Sequence, residues 1–289
     1  MPSSLISNLK KFDKIIKDNE NTNVMDLSKH AFLAPTTILP VLQYMELNNI
    51  TKYIPHPSTT HYLRKVLGKE KCTDTTFPLR KLESFHYSDY FQVADKIEMY
   101  LSDLTDEIIS LIPLNLDITG MNLLFYELLT NIYKHSQCNN AYILCQRYPN
   151  VGIADVCIID DGISIPGSLE KHGIHYDWDS EAIFWAINGA SSDKEDYGLH
   201  GRGLNTSATI TSFAFGEEML VSSRNGACTI NKNRIKLYNN VPYIQGTFIS
   251  LRVNTNKIKN IYDYTKKREY IKNEWIFMGE IKWIVLWLI

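Results

Sequence analysis

Tyr126-Glu127-Leu128-Leu129-Thr130-Asn131-Ile132-Tyr133-Lys134-His135 is the stretch from which the fold is best read. Glu127, Asn131 and His135 fall at i, i+4 and i+8. In a helix of about 100° per residue each step drifts only ~40°, so the three share one face, which Lys134 at i+7 adjoins. The remaining positions are mostly apolar, which predicts a core-facing helix from about residue 117 to 135 carrying one polar seam. A solvated helix face is the plain reading of that seam; a carboxylate, an amide and a cation in one row also suit a ligand that must be held when the face is covered.

Upstream, Val93, Ile97, Tyr100, Leu101, Leu104, Ile108 and Leu111 recur at three- and four-residue steps, predicting a long amphipathic helix over 90–111. Downstream, residues 141–145 and 154–159 read as paired strands around the turn material Pro149-Asn150-Val151-Gly152. Further strands are expected at 219–222 and 247–253, with a ribbon over 227–237. Two helices laid on such a sheet make an α+β chain built as a two-layer α/β sandwich.

Two more segments carry polar chemistry. The strand Cys157-Ile158-Ile159 runs into Asp160-Asp161-Gly162-Ile163-Ser164-Ile165-Pro166-Gly167, which puts a carboxylate at a strand end and a glycine where the backbone turns. An ordinary tight turn has the same composition. Farther on, Gly198-Leu199-His200-Gly201-Arg202-Gly203-Leu204-Asn205-Thr206-Ser207 is a glycine-rich loop leading into a helix-like run to Ile210. Backbone N–H groups at such a loop and helix start can cradle phosphate, and a flexible connection is the alternative.

Taken in order, Glu-x-x-x-Asn-x-x-x-His, Asp-x-Gly-x-x-Ile-Pro, the glycine loop and Gly246-Thr247 resemble the motif boxes of the GHKL superfamily, which includes gyrase, heat-shock chaperone ATPases, histidine kinases and MutL. The resemblance runs from about residue 90 to 255. The stretch from Asp179 to Ser192 is most similar to the histidine-kinase and anti-sigma-factor kinase branch. The resemblance implies a Bergerat-type ATP-binding fold with ATP and Mg2+ as cofactors. It makes Asn131 the magnesium ligand and Glu127 the general base. It sets Lys134 and His135 toward the phosphates, and Asp160, Gly162, Ile165 and Thr247 around the adenine. Gly201, Arg202, Gly203 and Leu204 become the phosphate loop, and Asp193 to Tyr197 part of a mobile lid.

The chain departs from the family pattern at two places. Ser164 stands where a second glycine is usual, adding bulk and giving up easy access to positive φ. Leu199-His200 also precede Gly201. His61 and His86 lack flanking dimerisation heptads, which argues against a complete two-component sensor.

The first 70 residues predict a helix with apolar Leu5, Leu9, Phe12 and Ile16, a strand near 23–27, and a second helix through Leu42 and Met45 ended by Asn48-Asn49. Pro40 is tolerable there only near the first turn. Asp26-Leu27-Ser28, an apolar pair and Pro35 faintly resemble STAS modules. Residues 55–83 have the composition of connections, with Pro55, Pro57, Gly68 and Pro78 among charges. The expected organisation is therefore a small α/β domain over 1–75, an ATP-binding domain over 76–255 and a basic then apolar extension over 256–289.

Composition bounds the function. The 289 residues carry 30 Lys+Arg against 32 Asp+Glu, so no global positive field draws the chain to nucleic acid or anionic lipid. No apolar run approaches the roughly 20 residues that span a bilayer, and the start lacks a secretory-signal pattern, so a cytoplasmic location is expected. Five cysteines without a CxxC pair argue against a disulfide framework or zinc ribbon; Cys145 and Cys157 are expected inside strands. The expected activity is hydrolysis of ATP or transfer of its γ-phosphate to a protein, with a protein partner or a homodimer; a non-catalytic nucleotide switch that sequesters a partner is the alternative.

Overall fold

The computed structural model describes residues 3–71, 75–83, 94–112, 118–188, 218–231 and 234–255. Cys72, His86, residues 189–217 with the segments expected to form a lid and a glycine loop, and residues 256–289 lie outside the described residues.

Two adjacent helices do what their periodicity requires. Helix α4 (Ala94–Ser110) buries Ile97, Leu101, Leu104 and Ile108, and α5 (Ile118–Asn131) buries Met121, Leu124, Phe125, Leu128 and Leu129. Both lie on one face of a five-stranded sheet of order β3-β4-β5-β7-β6, antiparallel throughout. Its strands are β3 (Thr76–Lys81), β4 (Ala141–Tyr148), β5 (Ile153–Asp160), β6 (Glu218–Asn231) and β7 (Arg234–Asn254). The chain is thus α+β. Strands β4 and β5 form a hairpin closed by Gly152 at φ 64. The ribbon expected over 227–237 is the far half of the long β6–β7 hairpin.

The sheet is covered on both faces, a difference from the expected two layers. Ile143, Cys145, Val156, Ile158, Leu251 and Val253 face the α4–α5 layer. Leu144, Cys157, Ile159, Leu220 and Phe248 face the other way, into one core with Leu5, Leu9, Phe12, Met25, Leu27, Ile38 and Leu63. Those residues belong to α1 (Leu5–Asp18), β1 (Val24–Leu27), α2 (Pro35–Leu47) and α3 (Thr60–Val66), with β1 paired in parallel to β2 (Lys52–Pro55). The physical reason for the third layer is visible in β5, every residue of which is buried. A strand with no solvated side needs cover on both faces.

Polar groups fix this second interface. Asp155, fully buried, receives Arg252 in a bidentate pair at 2.7 and 2.8 Å, and Arg252 Nη1 also donates to the Ser3 carbonyl at 2.8 Å. The Leu5 N–H donates to Glu218 at 2.9 Å, and the Thr36 and Ser250 hydroxyls meet at 2.8 Å. Cys145 and Cys157 are buried within their strands, as expected, and burial pushes the Cys157 thiol up to about 12.

Two local expectations need correction. Pro40 sits in the second turn of α2, which begins at Pro35, so it is tolerated in the helix interior at the cost of a ladder hydrogen bond. Residues 55–83 are more than connections, since they contain α3 and the edge strand β3. Pro78 is compatible with β3 because an edge strand has a side without ladder bonds, and the β3–β4 register shifts around it, between Phe77 and Arg80. No helix among the described residues is long and apolar enough to cross a membrane.

Candidate functional site

The polar seam begins on α5 and ends on a different kind of turn. Glu127 and Asn131 are half-buried on α5, and Lys134 and His135 are half-buried on a π-helical turn, Ile132–Ser136, that continues it. Such wide turns are costly and concentrate at functional sites. Gln137, at φ 51 in the left-handed region, ends the turn. The four residues therefore lie on one continuous helical element, but the π turn alters the 100° step from which a shared face was expected for Lys134 and His135.

That element delivers Ser136 against the end of β5. The Ser136 carbonyl accepts from the Ile163 N–H at 2.8 Å. Gly162 lies so close that a Cβ there would be 2.1 Å from the same oxygen, so no other residue fits without moving backbone. Gly246 on β7, at φ 74, closes the other side: a Cβ on it would stand 2.2 Å from the Asp160 carbonyl oxygen and 2.6 Å from the Gly162 nitrogen. Three backbone segments distant in sequence thus meet at Asp160.

Asp160 itself is 4% exposed. Its carboxyl accepts from the Gly162 N–H at 2.9 Å, the Thr247 backbone N–H also favours its charged form, and it forms no ion pair among the described residues. Burial pushes its pKa up to about 7, with the neighbouring Asp161 adding to the rise and the two backbone N–H groups opposing it. Asp161 has a separate, structural task. It accepts from the Asn139 and Asn140 N–H groups at 2.8 and 2.9 Å, tying down the loop after the π turn.

The raised pKa has a signed consequence. The folded state holds a proton on Asp160 at pH values where the unfolded chain has lost it, so stability is full below about pH 4 and is lost as pH rises to about 7. The loss is on the order of 4 kcal/mol. Urea unfolding of the wild type and Asp160→Asn at pH 5 and 8 checks this: the difference between them should shift in that direction, and parallel pH dependences would contradict it.

Ser164 settles differently from the expectation that a serine would give up positive φ. It occupies φ 69, ψ 159, a region ordinarily reserved for glycine, and is 7% exposed. Its hydroxyl accepts from the Gly167 N–H at 3.0 Å and caps α6 (Ile165–Lys171). The bulk is absorbed because the side chain is used as a cap. Strain there costs about 1–3 kcal/mol, while exchanging a serine cap for glycine costs only a few tenths. Ser164→Gly should therefore stabilise by about 1 kcal/mol and Ser164→Ala destabilise by about 1 kcal/mol, opposite signs that thermal unfolding of the pair will read.

Ile165 joins the same cluster through Ser223, a buried residue of β6 that pairs with Thr247 across the β6–β7 ladder and that sequence reading missed. The Ser223 hydroxyl accepts from the Ile165 N–H at 3.1 Å and donates to the Gly246 carbonyl at 2.5 Å. Arg224, also missed, binds Glu170 bidentately at 2.7 Å, holding that carboxyl down at about 2, and bonds the Tyr176 hydroxyl at 3.2 Å. No motif marks either residue; only the β6 bulge at Arg224, with its φ of 51, turns them toward α6. Asp160, Gly162, Ile165 and Thr247 are thus brought together, and the element that carries Glu127, Asn131, Lys134 and His135 meets this cluster through the backbone of Ser136. Gly201, Arg202, Gly203 and Leu204 fall outside the described residues.

Compared with known proteins, the chain matches no protein-family model and no curated sequence.

Proposed function

We propose that the chain binds ATP with magnesium in a Bergerat-type site and, in a regulatory role, hydrolyses it or passes its γ-phosphate to a protein. The observation that carries the reading is the buried Asp160 carboxyl, without an ion-pair partner among the described residues, in a cradle that only Gly162 and Gly246 permit. A purine fits that chemistry, because its exocyclic amino group is a donor for the carboxyl; Gly162 and Gly246 let the Ser136, Asp160 and Gly162 backbones close tightly around that carboxyl.

In this reading Thr247 borders the base and Ile165 flanks it. Asn131, a neutral oxygen donor, holds a hard cation that keeps much of its own water. Lys134 and His135 offset phosphate charge, together with Gly201, Arg202, Gly203 and Leu204. Glu127 orients and deprotonates the attacking water or acceptor hydroxyl. Magnesium-bound triphosphate supplies the transferable group, so the chain's work is positioning and charge stabilisation. A protein partner or a second copy of the chain would receive the output.

Incubation with γ-labelled Mg-ATP, separating free phosphate from protein-bound label, tests this. Either product should form and fall by about 100-fold or more in Glu127→Ala. Bound nucleotide with neither product would assign the non-catalytic, partner-sequestering switch instead. Failure to bind nucleotide would contradict the reading.

A further inference from the structure

The end of β5 is held from behind by the amino-terminal layer. Gln43 on α2 is 6% exposed, and its Nε2 donates to the Asp160 carbonyl at 2.8 Å and to the Gln245 carbonyl at 3.4 Å. These two backbone segments also meet at the Asp160 carboxyl, where a Cβ on Gly246 would stand 2.7 Å from Oδ1. One side-chain amide therefore sets the spacing of the β5 end against the β7 kink. The oxygen it holds is the one that a Cβ at residue 246 would strike, so the missing side chain of Gly246 also leaves the carbonyl open to Gln43.

The rest of α2 reinforces the clamp. One turn on, Glu46 accepts from the Tyr142 hydroxyl of β4, whose backbone pairs with Ile159. At the start of α2, Thr36 bonds Ser250 on β7, and Thr37 donates to the Asn8 carbonyl of α1 at 3.0 Å. Helix α2 is thus hydrogen-bonded to both strands that meet at Asp160, β5 and β7.

We propose that Gln43 is a positioning residue for the Asp160 site, and that docking of the amino-terminal layer and occupancy of that site are thermodynamically linked through it. The proposal rests on the nucleotide reading above and adds its regulation. Ligation that fixes Asp160 tightens α2 on the sheet, and by reciprocity anything that displaces α2 weakens the ligand.

The experiment compares the wild-type full chain with Gln43→Met, which keeps length and loses both hydrogen bonds, by amide hydrogen exchange and by binding of Mg-ATP and of inorganic triphosphate. Losing a buried donor to two carbonyls should weaken Mg-ATP about tenfold. Triphosphate affinity should stay unchanged. Exchange at the Gly162 and Thr247 amides should quicken without nucleotide, and the protection that Mg-ATP confers on residues 35–47 should disappear. Gln43→Asn, one methylene shorter, should give changes of the same sign and serves if the methionine variant does not fold. Wild-type-like ATP affinity together with unchanged exchange in the variants overturns the role of Gln43 and leaves the nucleotide reading standing. A wild type that binds no Mg-ATP overturns the nucleotide reading and the linkage with it, and the exchange rates at Gly162 and Thr247 then decide the positioning role alone.

Discussion

Asp155→Ala is expected to lower the unfolding free energy by about 3–5 kcal/mol, because it strands the Arg252 guanidinium in the interface between the sheet and the amino-terminal layer. Arg252 is 5% exposed and, among the described residues, would keep the Ser3 carbonyl as its hydrogen-bond acceptor, with Glu218 opposite it on β6 as a remaining negative charge. The cost comes from breaking the pair rather than from the pair's net worth, so replacing both partners together, Asp155→Leu with Arg252→Met, should recover most of the loss. Urea unfolding of the three variants measures both quantities. A loss under about 1 kcal/mol in Asp155→Ala would mean that water reaches the guanidinium and that the interface is looser than described.

Gly246→Ala carries the second large effect. Its Cβ would meet the Asp160 carbonyl oxygen at 2.2 Å and the Gly162 nitrogen at 2.6 Å, backbone atoms that cannot rotate away, at a φ of 74. Left-handed backbone costs about 1–2 kcal/mol for an alanine and overpacking about 1–3 more. Gly173, at φ 73 with nothing within 4 Å, isolates the two contributions. Gly173→Ala should cost about 1 kcal/mol and leave ligand binding intact, whereas Gly246→Ala should cost about 2–5 kcal/mol and displace Asp160. Equal thermal shifts in the two variants would show that the cradle is not tight.

The helices and strands that build the site were legible because their periodicities are local. Ile97, Leu101, Leu104 and Ile108 specify α4 by spacing alone, and the Asp160-Asp161-Gly162 run marks the β5 end without any tertiary information. The third layer was only half legible: the apolar run Val156-Cys157-Ile158-Ile159 in β5 is consistent with cover on both faces but does not say what supplies it, and Asp155 interrupts it. Strand β3 was hidden by Pro78 and its charges, which are permitted only because it lies at an edge. Gln43 and Ser223 could not be found by spacing at all, since their partners lie 117 and 58 residues away. Ser164 was recognised as a departure, but its use as a cap depends on the Gly167 N–H, which only the folded turn provides.

The proposed function turns on whether the Asp160 carboxyl reads a purine. Calorimetric titration of Mg-ATP into the wild type and Asp160→Asn, with Mg-GTP as comparison, measures that directly. The account predicts saturable ATP binding by the wild type, weaker binding of GTP, and at least about tenfold weaker ATP binding in the variant, whose amide presents a donor where the purine amino group needs an acceptor. A wild type that takes up no ATP, or a variant that binds it equally well, would contradict the assignment of Asp160 as the base-reading group.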